Sequence, residues 1–151
     1  MNRGAAVYAA IPGGAELIAW FGREPSFHDA EIVSLHLRRR SESILQIFFW
    51  RLPGGVDNRG HFQQDKHVVV SFVMGEIVDL QLDYFGHQNV IYSLKLGRAS
   101  DRPDRAPYIP LTDPRPTDYE IELEPCYGMG GFIRCRKLSI VLTPGKPDDA
   151  R

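Results

Sequence analysis

A short segment near residue 30 concentrates side chains that bind metal ions or transfer protons in many proteins. It contains His28, Asp29 and Glu31, and His36 follows in the next apolar stretch. A small metal-dependent hydrolase could use these four residues, since imidazoles and carboxylates serve as metal ligands and as acids and bases. On a strand, however, Asp29 and Glu31 share one face while both histidines lie on the other. We therefore predict that His28 and Asp29 bond backbone groups at the entry to the first strand, with no metal and no cofactor.

A second polar segment, residues 86–89, lies between two apolar stretches. Gln88 and Asn89 could present their amide groups to a partner. More commonly, an asparagine in a turn bonds its own backbone and tolerates left-handed geometry. We therefore assign both amides, together with His28, Asp29 and Glu31, to a structural polar motif.

Carboxylates recur on one face of a late strand, where they could form a negative surface. The proposed surface consists of five residues: Glu120, Glu122, Glu124, Asp79 and Asp83. Such a surface suits the binding of a basic protein partner. The alternative is a solvated face that pairs in part with Arg134 and Arg136 across a hairpin. Both interpretations stay open, because peripheral charges mainly steer the encounter and the same residues can do both.

The two cysteines, Cys126 and Cys135, flank a glycine-rich turn at residues 128–131. A zinc site built on them would need two further ligands, and the chain has no CxxC spacing. We predict buried free thiols. The turn also lacks the Lys-Ser/Thr pair of a phosphate-binding loop, so the sequence indicates no nucleotide site there.

Length and charge restrict the classes of protein that fit. The chain has 151 residues, a net charge of −1 and 43% hydrophobic residues, which favours one globular domain over residues 1–151. A nucleic-acid binder would usually show a basic excess, and a membrane helix needs about 20 apolar residues, so neither partner is expected. Residues 1–12 are a poor match to a signal peptide. The sequence therefore favours a cytoplasmic protein.

Apolar periodicity predicts one short N-terminal helix followed by strands. Leu17, Ile18 and Phe21 form a helical stripe that Gly22 can end. After it the dominant period is two, although residues 43–52 are apolar on both faces and residues 67–74 form an apolar, β-branched run. The pattern predicts strands at residues 31–39, 43–52, 67–74, 77–84, 90–96, 119–124 and 132–142. Gly75 marks either a turn or a bulge in one long strand. Short connections favour antiparallel pairing, so we predict an α+β fold with a mainly antiparallel sheet of six to seven strands, curled or folded into a sandwich.

Composition also divides the chain into an ordered part and irregular parts. We expect an ordered core over residues 13–143 and a polar tail over 144–151. Residues 56–65 are polar and predict a loop. Residues 97–117 carry five prolines and predict an irregular excursion within the domain, too short to separate two domains.

Three segments resemble a known family. Residues 25–32, Pro-Ser-Phe-His-Asp-Ala-Glu-Ile, follow a tryptophan-containing helix as they do in the small bacterial proteins catalogued as immunity protein fifty, from polymorphic toxin systems. Residues 85–91, with Gln-Asn-Val-Ile after an aromatic residue, and residues 122–128, Glu-Leu-Glu-Pro-Cys-Tyr-Gly, are similar to later parts of that family. The resemblance spans about residues 14–142. It carries over no catalytic residue.

This resemblance implies a non-enzymatic protein that binds a cognate toxin domain and blocks it. Such an inhibitor needs a rigid scaffold and a complementary surface of roughly 800 Å² per partner, with a few anchor residues. The acidic surface would then steer the chain toward a basic toxin. Two alternatives remain: the metal-dependent hydrolase, and a homodimeric interaction module that has no toxin partner.

Overall fold

Alternating apolar and polar residues produce six strands in the computed structural model, which describes residues 3–51, 65–110 and 113–148. The strands are β1 (Glu31–His36), β2 (Ser43–Arg51), β3 (Asp65–Asp83), β4 (Val90–Arg98), β5 (Tyr119–Tyr127) and β6 (Gly130–Pro144). All paired neighbours are antiparallel, which confirms the predicted fold class. The sheet curls until it closes as a barrel in the order β1-β2-β3-β6-β5-β4.

A short seam between β1 and β4 closes the barrel. Glu31 lies opposite Val90, and the Ile32 amide donates to the Asn89 carbonyl at 2.9 Å. The Ile91 amide donates to the carbonyl of Ala30, also at 2.9 Å. Closure therefore brings the segment before β1 against the start of β4, and it removes the exposed edges of an open sheet.

The two predicted strands on either side of Gly75 are one strand, β3. Glu76 has a positive φ of 54°, and the pairing register with β6 shifts between Ile77 and Asp79. Of the two interpretations of Gly75, the bulge is therefore correct. The bulge bends β3, so that its first half pairs with β2 while residues 68–83 pair with β6.

Two α-helices precede the barrel, α1 (Arg3–Ala10) and α2 (Gly14–Phe21). The prediction of α2 is confirmed, and Gly22 ends it in left-handed geometry with its amide donating to the Ile18 carbonyl. The sequence did not predict α1, because an alanine-rich turn of eight residues has no distinct apolar stripe. The predicted start of the core at residue 13 is also too late, since Tyr8 and Ile11 are both buried in it.

Both helices contribute to the same hydrophobic core as the strands. Tyr8 and Leu17 from the helices are fully buried with Leu45, Phe72 and Ile133 from the barrel. A short 3-10 helix, η1 (Pro103–Tyr108), lies within the predicted proline-rich excursion. The predicted loop at 56–65 falls outside the described residues except for its last position, which begins β3. No helix in the described ranges is long and apolar enough to cross a membrane.

Gly13 offers a sharp test of how the helices dock on the barrel. It has a φ of 84°, and a Cβ there would lie 1.9 Å from the Ile140 carbonyl oxygen. Gly22 has a similar φ of 78° but nothing within 4 Å of a Cβ. Gly22→Ala should cost about 1–2 kcal/mol of unfolding free energy from backbone strain alone. Gly13→Ala should cost at least about 2 kcal/mol more, because the clash is with backbone. Urea denaturation of the two variants measures the difference, and equal losses would contradict the packing described here.

Candidate functional site

Exposed aromatic side chains gather at one end of the barrel. Four of the seven large apolar side chains exposed in the described residues lie there, and we call them the aromatic end: Tyr84, Phe85, Tyr92 and Tyr127. Tyr84 is 87% exposed and Phe85 62%. Pairing of Asp83 with Gly130 places the end of β3 beside the β5–β6 hairpin, which brings these side chains to the same end. Aromatic residues left in water at one place are typical of a binding surface.

Asn89 fixes the turns that carry the aromatic end. Its Nδ2 donates to the Gly86 carbonyl at 2.8 Å, and its Oδ1 accepts from the amides of Gly86 and Met129, each at 3.0 Å. The first two bonds are the ones that the sequence predicts for an asparagine in this turn. The third was not predicted, and it ties the β3–β4 turn to the β5–β6 hairpin. Gln88 is exposed, and a Cβ on Gly128 would lie 2.5 Å from the Gln88 carbonyl oxygen, so the two turns also touch through backbone.

A mixed cluster of three metal-ligand side chains borders the aromatic end. Potential ligand atoms of His28, Asp29 and Cys126 all lie within 4.8 Å of one another, and all three residues are exposed. The His28 ring contacts the Tyr92 ring edge-on, with centroids 5.3 Å apart. The Asp29 amide donates to the Ile91 carbonyl at 2.9 Å, so the seam between β1 and β4 positions the segment.

The hydrogen bonds of His28 define which of its nitrogens is available. Nδ1 lies 2.9 Å from the Tyr92 carbonyl oxygen, which can only accept, so Nδ1 carries the proton. In the neutral ring, Nε2 then has a free lone pair, and it lies 3.6 Å from Oδ1 of Asp29. The prediction that this histidine bonds backbone is consistent with the contact to Tyr92, yet the other nitrogen remains open to a ligand.

Backbone geometry before β1 turns the two polar side chains outward. Phe27 and Asp29 both have positive φ, 60° and 68°, and such values are rare for a bulky residue such as phenylalanine. The Phe27 side chain is fully buried between Phe49 and Phe72, at ring distances of 5.2 and 5.9 Å. Burial of Phe27 thus holds a strained turn in place and presents His28 on the surface.

A cavity of about 490 Å³ opens beside this turn. His28 and Asp29 line it together with the half-buried aromatic rings of Phe49 and Trp50. One carboxylate oxygen of Glu24, also in the lining, is buried without a hydrogen-bond partner among the described residues. Arg23, Ser26 and Arg51 also line the cavity, so charged and polar side chains face its aromatic wall.

The other two members of the predicted cluster lie elsewhere. Glu31 opens β1 opposite Phe48, whereas His36 ends the strand and its Nε2 accepts from Arg38 at 3.3 Å. His36 lies five positions after Glu31 along the strand, about 16 Å away at 3.3 Å per residue. The hydrolase interpretation with all four residues in one cleft is therefore wrong. Cys126 takes their place beside His28, although it lies almost a hundred positions further along the chain.

The two cysteines have different environments. Cys135 is buried, and burial raises the pKa of its thiol to about 12, which makes it an inert core residue. Cys126 is exposed on β5, so the prediction of a buried thiol is wrong for this residue. Its exposure follows from register shifts between β4 and β5 at positions 90–93, where the regular alternation of inward and outward side chains is interrupted.

The five carboxylates of the predicted acidic surface do not share one exposed face. Asp79 and Glu120 are buried and paired: Arg105 donates two hydrogen bonds to Asp79 at 2.9 and 3.0 Å, and Arg102 donates to Glu120 at 2.9 Å. The bond from Arg102 to Glu120 raises the pKa of the guanidinium. Both arginines come from the proline-rich excursion, which folds over this part of the sheet. Asp79 and Glu120 are therefore not available to a partner in this conformation.

The three remaining carboxylates lie together in solvent. Asp83, Glu122 and Glu124 line a shallow depression of about 390 Å³ next to the aromatic end, and all are exposed. We call them the acidic rim. The acidic rim is the part of the predicted acidic surface that is exposed. It lies where β3, β5 and β6 run side by side.

Two arginines of β6 also pair differently from the prediction. Arg134 lies opposite Glu120 in the strand register, yet its Nε donates to Asp118 at 3.0 Å and its Nη atoms donate to the carbonyls of Ser100 and Arg115. Arg136 approaches Asp118 at 3.9 Å. The expected pairing of these arginines with the glutamate ladder is wrong, because Asp118 and the returning excursion lie closer to their guanidinium groups.

Comparisons of the chain with protein-family models, with curated proteins and with solved structures give no match. The resemblance to immunity protein fifty therefore stays a prediction.

Proposed function

We propose that this chain is a non-enzymatic binding protein of the immunity type, which acts in the cytoplasm and neutralises a cognate toxin domain by direct contact through the aromatic end. The observation that supports this proposal is the grouping of Tyr84, Phe85, Tyr92 and Tyr127 in water at one end of the barrel. Tyrosine is enriched among residues that dominate binding energy at protein interfaces. Neither nucleic acid nor membrane is part of the proposal.

Rigidity of the aromatic end favours tight binding. Association costs free energy when flexible loops become ordered, and a preformed surface avoids part of this cost. The three hydrogen bonds of Asn89 hold the turn at 86–89 against the hairpin before any partner arrives. Such a preformed surface lowers the free-energy cost of forming the complex with a toxin.

Charge around the aromatic end points to a basic partner. The acidic rim of Asp83, Glu122 and Glu124 lies next to the aromatic end, and the exposed Asp29 donates its amide to Ile91, the neighbour of Tyr92. Carboxylates at the periphery of an interface accelerate the encounter with a positively charged protein. A toxin domain that handles nucleic acid would carry the complementary charge.

We expect the neighbouring open reading frame to encode a secreted protein with a C-terminal toxin domain, and the direct test uses that domain. We expect a one-to-one complex by calorimetry and loss of toxin activity at equimolar inhibitor. Absence of binding to that domain would contradict the proposal. A tight homodimer in light scattering, with the aromatic end covered by its own copy, would instead support the homodimeric module.

Charge reversal of the acidic rim should slow association with this partner. We expect the combined Asp83→Lys, Glu122→Lys and Glu124→Lys variant to associate at least about tenfold more slowly at low salt, because steering depends on complementary charge. The difference should shrink at high salt, where exposed charges are screened. Stopped-flow kinetics measures both rates.

A variant of equal net charge provides the control for this experiment. It reverses three exposed carboxylates outside the acidic rim: Glu16, Glu42 and Asp148. Equal slowing by both variants would show that net charge, and not the acidic rim, governs the encounter.

A further inference from the structure

We propose that Nε2 of His28, a carboxylate oxygen of Asp29 and Sγ of Cys126 form a three-ligand site for a divalent ion of the zinc class. The inference goes beyond the proposed function, because it concerns a site that is chemically complete without a protein partner. It rests on three residues from two distant parts of the chain that the barrel seam brings together.

The distances between the three ligand atoms are close to those found around a bound zinc ion. Zinc bonds of about 2.0–2.3 Å in a tetrahedral arrangement place neighbouring ligand atoms about 3.3–3.8 Å apart. His28 Nε2 and Asp29 Oδ1 are already 3.6 Å apart, and a ring nitrogen of His28, a carboxylate oxygen of Asp29 and Sγ of Cys126 all lie within 4.8 Å of one another. All three side chains are exposed, so small rotations about their own bonds can close the remaining gap without moving the core.

The histidine is oriented as a metal ligand usually is. Ligating imidazoles commonly donate their second ring N–H to a carbonyl or carboxylate, which fixes the tautomer and directs the free lone pair at the ion. The 2.9 Å contact from His28 Nδ1 to the Tyr92 carbonyl supplies this second interaction. Burial of Phe27 fixes the backbone on one side of His28, and the Asp29 amide bond to Ile91 fixes it on the other.

The ligand set selects the class of ion. A thiolate and an imidazole favour zinc and its transition-metal neighbours over magnesium or calcium, which prefer oxygen ligands. Three protein ligands leave a fourth position, which water can fill. Because the cluster borders Tyr92, that position also lies within reach of a donor side chain on a molecule bound at the aromatic end.

Calorimetric titration of the purified full-length chain with zinc chloride, after chelator treatment and under reducing conditions, tests the proposal. We expect one Zn²⁺ per chain. Titration with Co²⁺ in place of Zn²⁺ should produce a thiolate-to-cobalt charge-transfer band, which reports directly on Cys126. Neither readout requires the toxin, so failure here leaves the proposed function untouched.

Two variants and one control decide the outcome. Cys126→Ser should remove the cobalt band, and His28→Ala should weaken zinc binding at least about tenfold. His87→Ala changes another exposed histidine in the β3–β4 turn and should leave binding unchanged. Unaltered urea midpoints would show that the variants remain folded. No stoichiometric binding, or equal binding by the wild-type chain and both site variants, would overturn the proposal.

Discussion

Asp118→Ala should lower the free energy of unfolding by about 3–5 kcal/mol, the usual cost of removing one partner of a buried ion pair. The Asp118 side chain is 1% exposed and the Arg134 side chain 9%. Oδ2 of Asp118 accepts from Arg134 and also from the Arg115 amide at 2.8 Å. The variant would therefore leave a buried guanidinium without its countercharge and free a backbone amide at the end of the excursion. Urea denaturation at neutral pH measures the loss.

A matched control distinguishes the loss of a buried ion pair from the loss of an exposed carboxylate. Glu122 lies four positions further along the chain and is exposed, so Glu122→Ala should change stability by no more than about 0.5 kcal/mol. A loss of less than about 1 kcal/mol for Asp118→Ala would show that the ion pair is not buried as described. The result also bears on function, because Asp118 and Arg134 help to hold the excursion that covers Asp79 and Glu120.

Alanine substitutions in the aromatic end should greatly weaken the affinity for the partner. We expect Phe85→Ala and Tyr127→Ala each to weaken binding by about 2 kcal/mol, which is roughly 30-fold in Kd. Both side chains are more than half exposed, at 62% and 54%, so the variants should fold as the wild-type chain does. Calorimetry with the neighbouring toxin domain measures the change.

Tyr108 supplies the control for these two variants. It is 71% exposed but lies in η1, in the excursion and outside the aromatic end. Tyr108→Ala should leave Kd within about twofold, in line with the near-neutral effect of most residues outside the energetic centre of an interface. A larger loss of affinity for Tyr108→Ala than for Phe85→Ala would show that the partner binds the excursion and not the aromatic end.

Local patterns in the sequence were sufficient for most elements of the fold. Alternation identified most of the strands, apolar runs identified those at residues 43–52 and 67–74, and the stripe from Leu17 to Phe21 identified α2. Alternation did not determine how the sheet closes, because closure depends on the few bonds of the seam, such as Ile32 to Asn89. Helix α1 was missed for a similar reason: burial of Tyr8 is a tertiary effect that an alanine-rich segment does not reveal.

The sequence identified only two of the three residues of the candidate metal site. His28 and Asp29 stood out as polar residues between apolar ones, but nothing local links them to Cys126. The prediction of one acidic surface was incomplete for the same physical reason. Spacing on a strand showed that Glu120 and Glu122 share a face, but it could not show that Arg102 folds back over Glu120 from the excursion. Contacts across such sequence distances are set by topology, and topology was the part that sequence left open.

Amide hydrogen exchange on the complex with the neighbouring toxin domain tests the proposed binding surface most directly. We expect new protection in residues 84–88 and 125–129, and none in residues 37–42 at the β1–β2 connection. Protection confined to residues 37–42, or no change around the aromatic end in a complex that demonstrably forms, would contradict the proposal that this end binds the toxin.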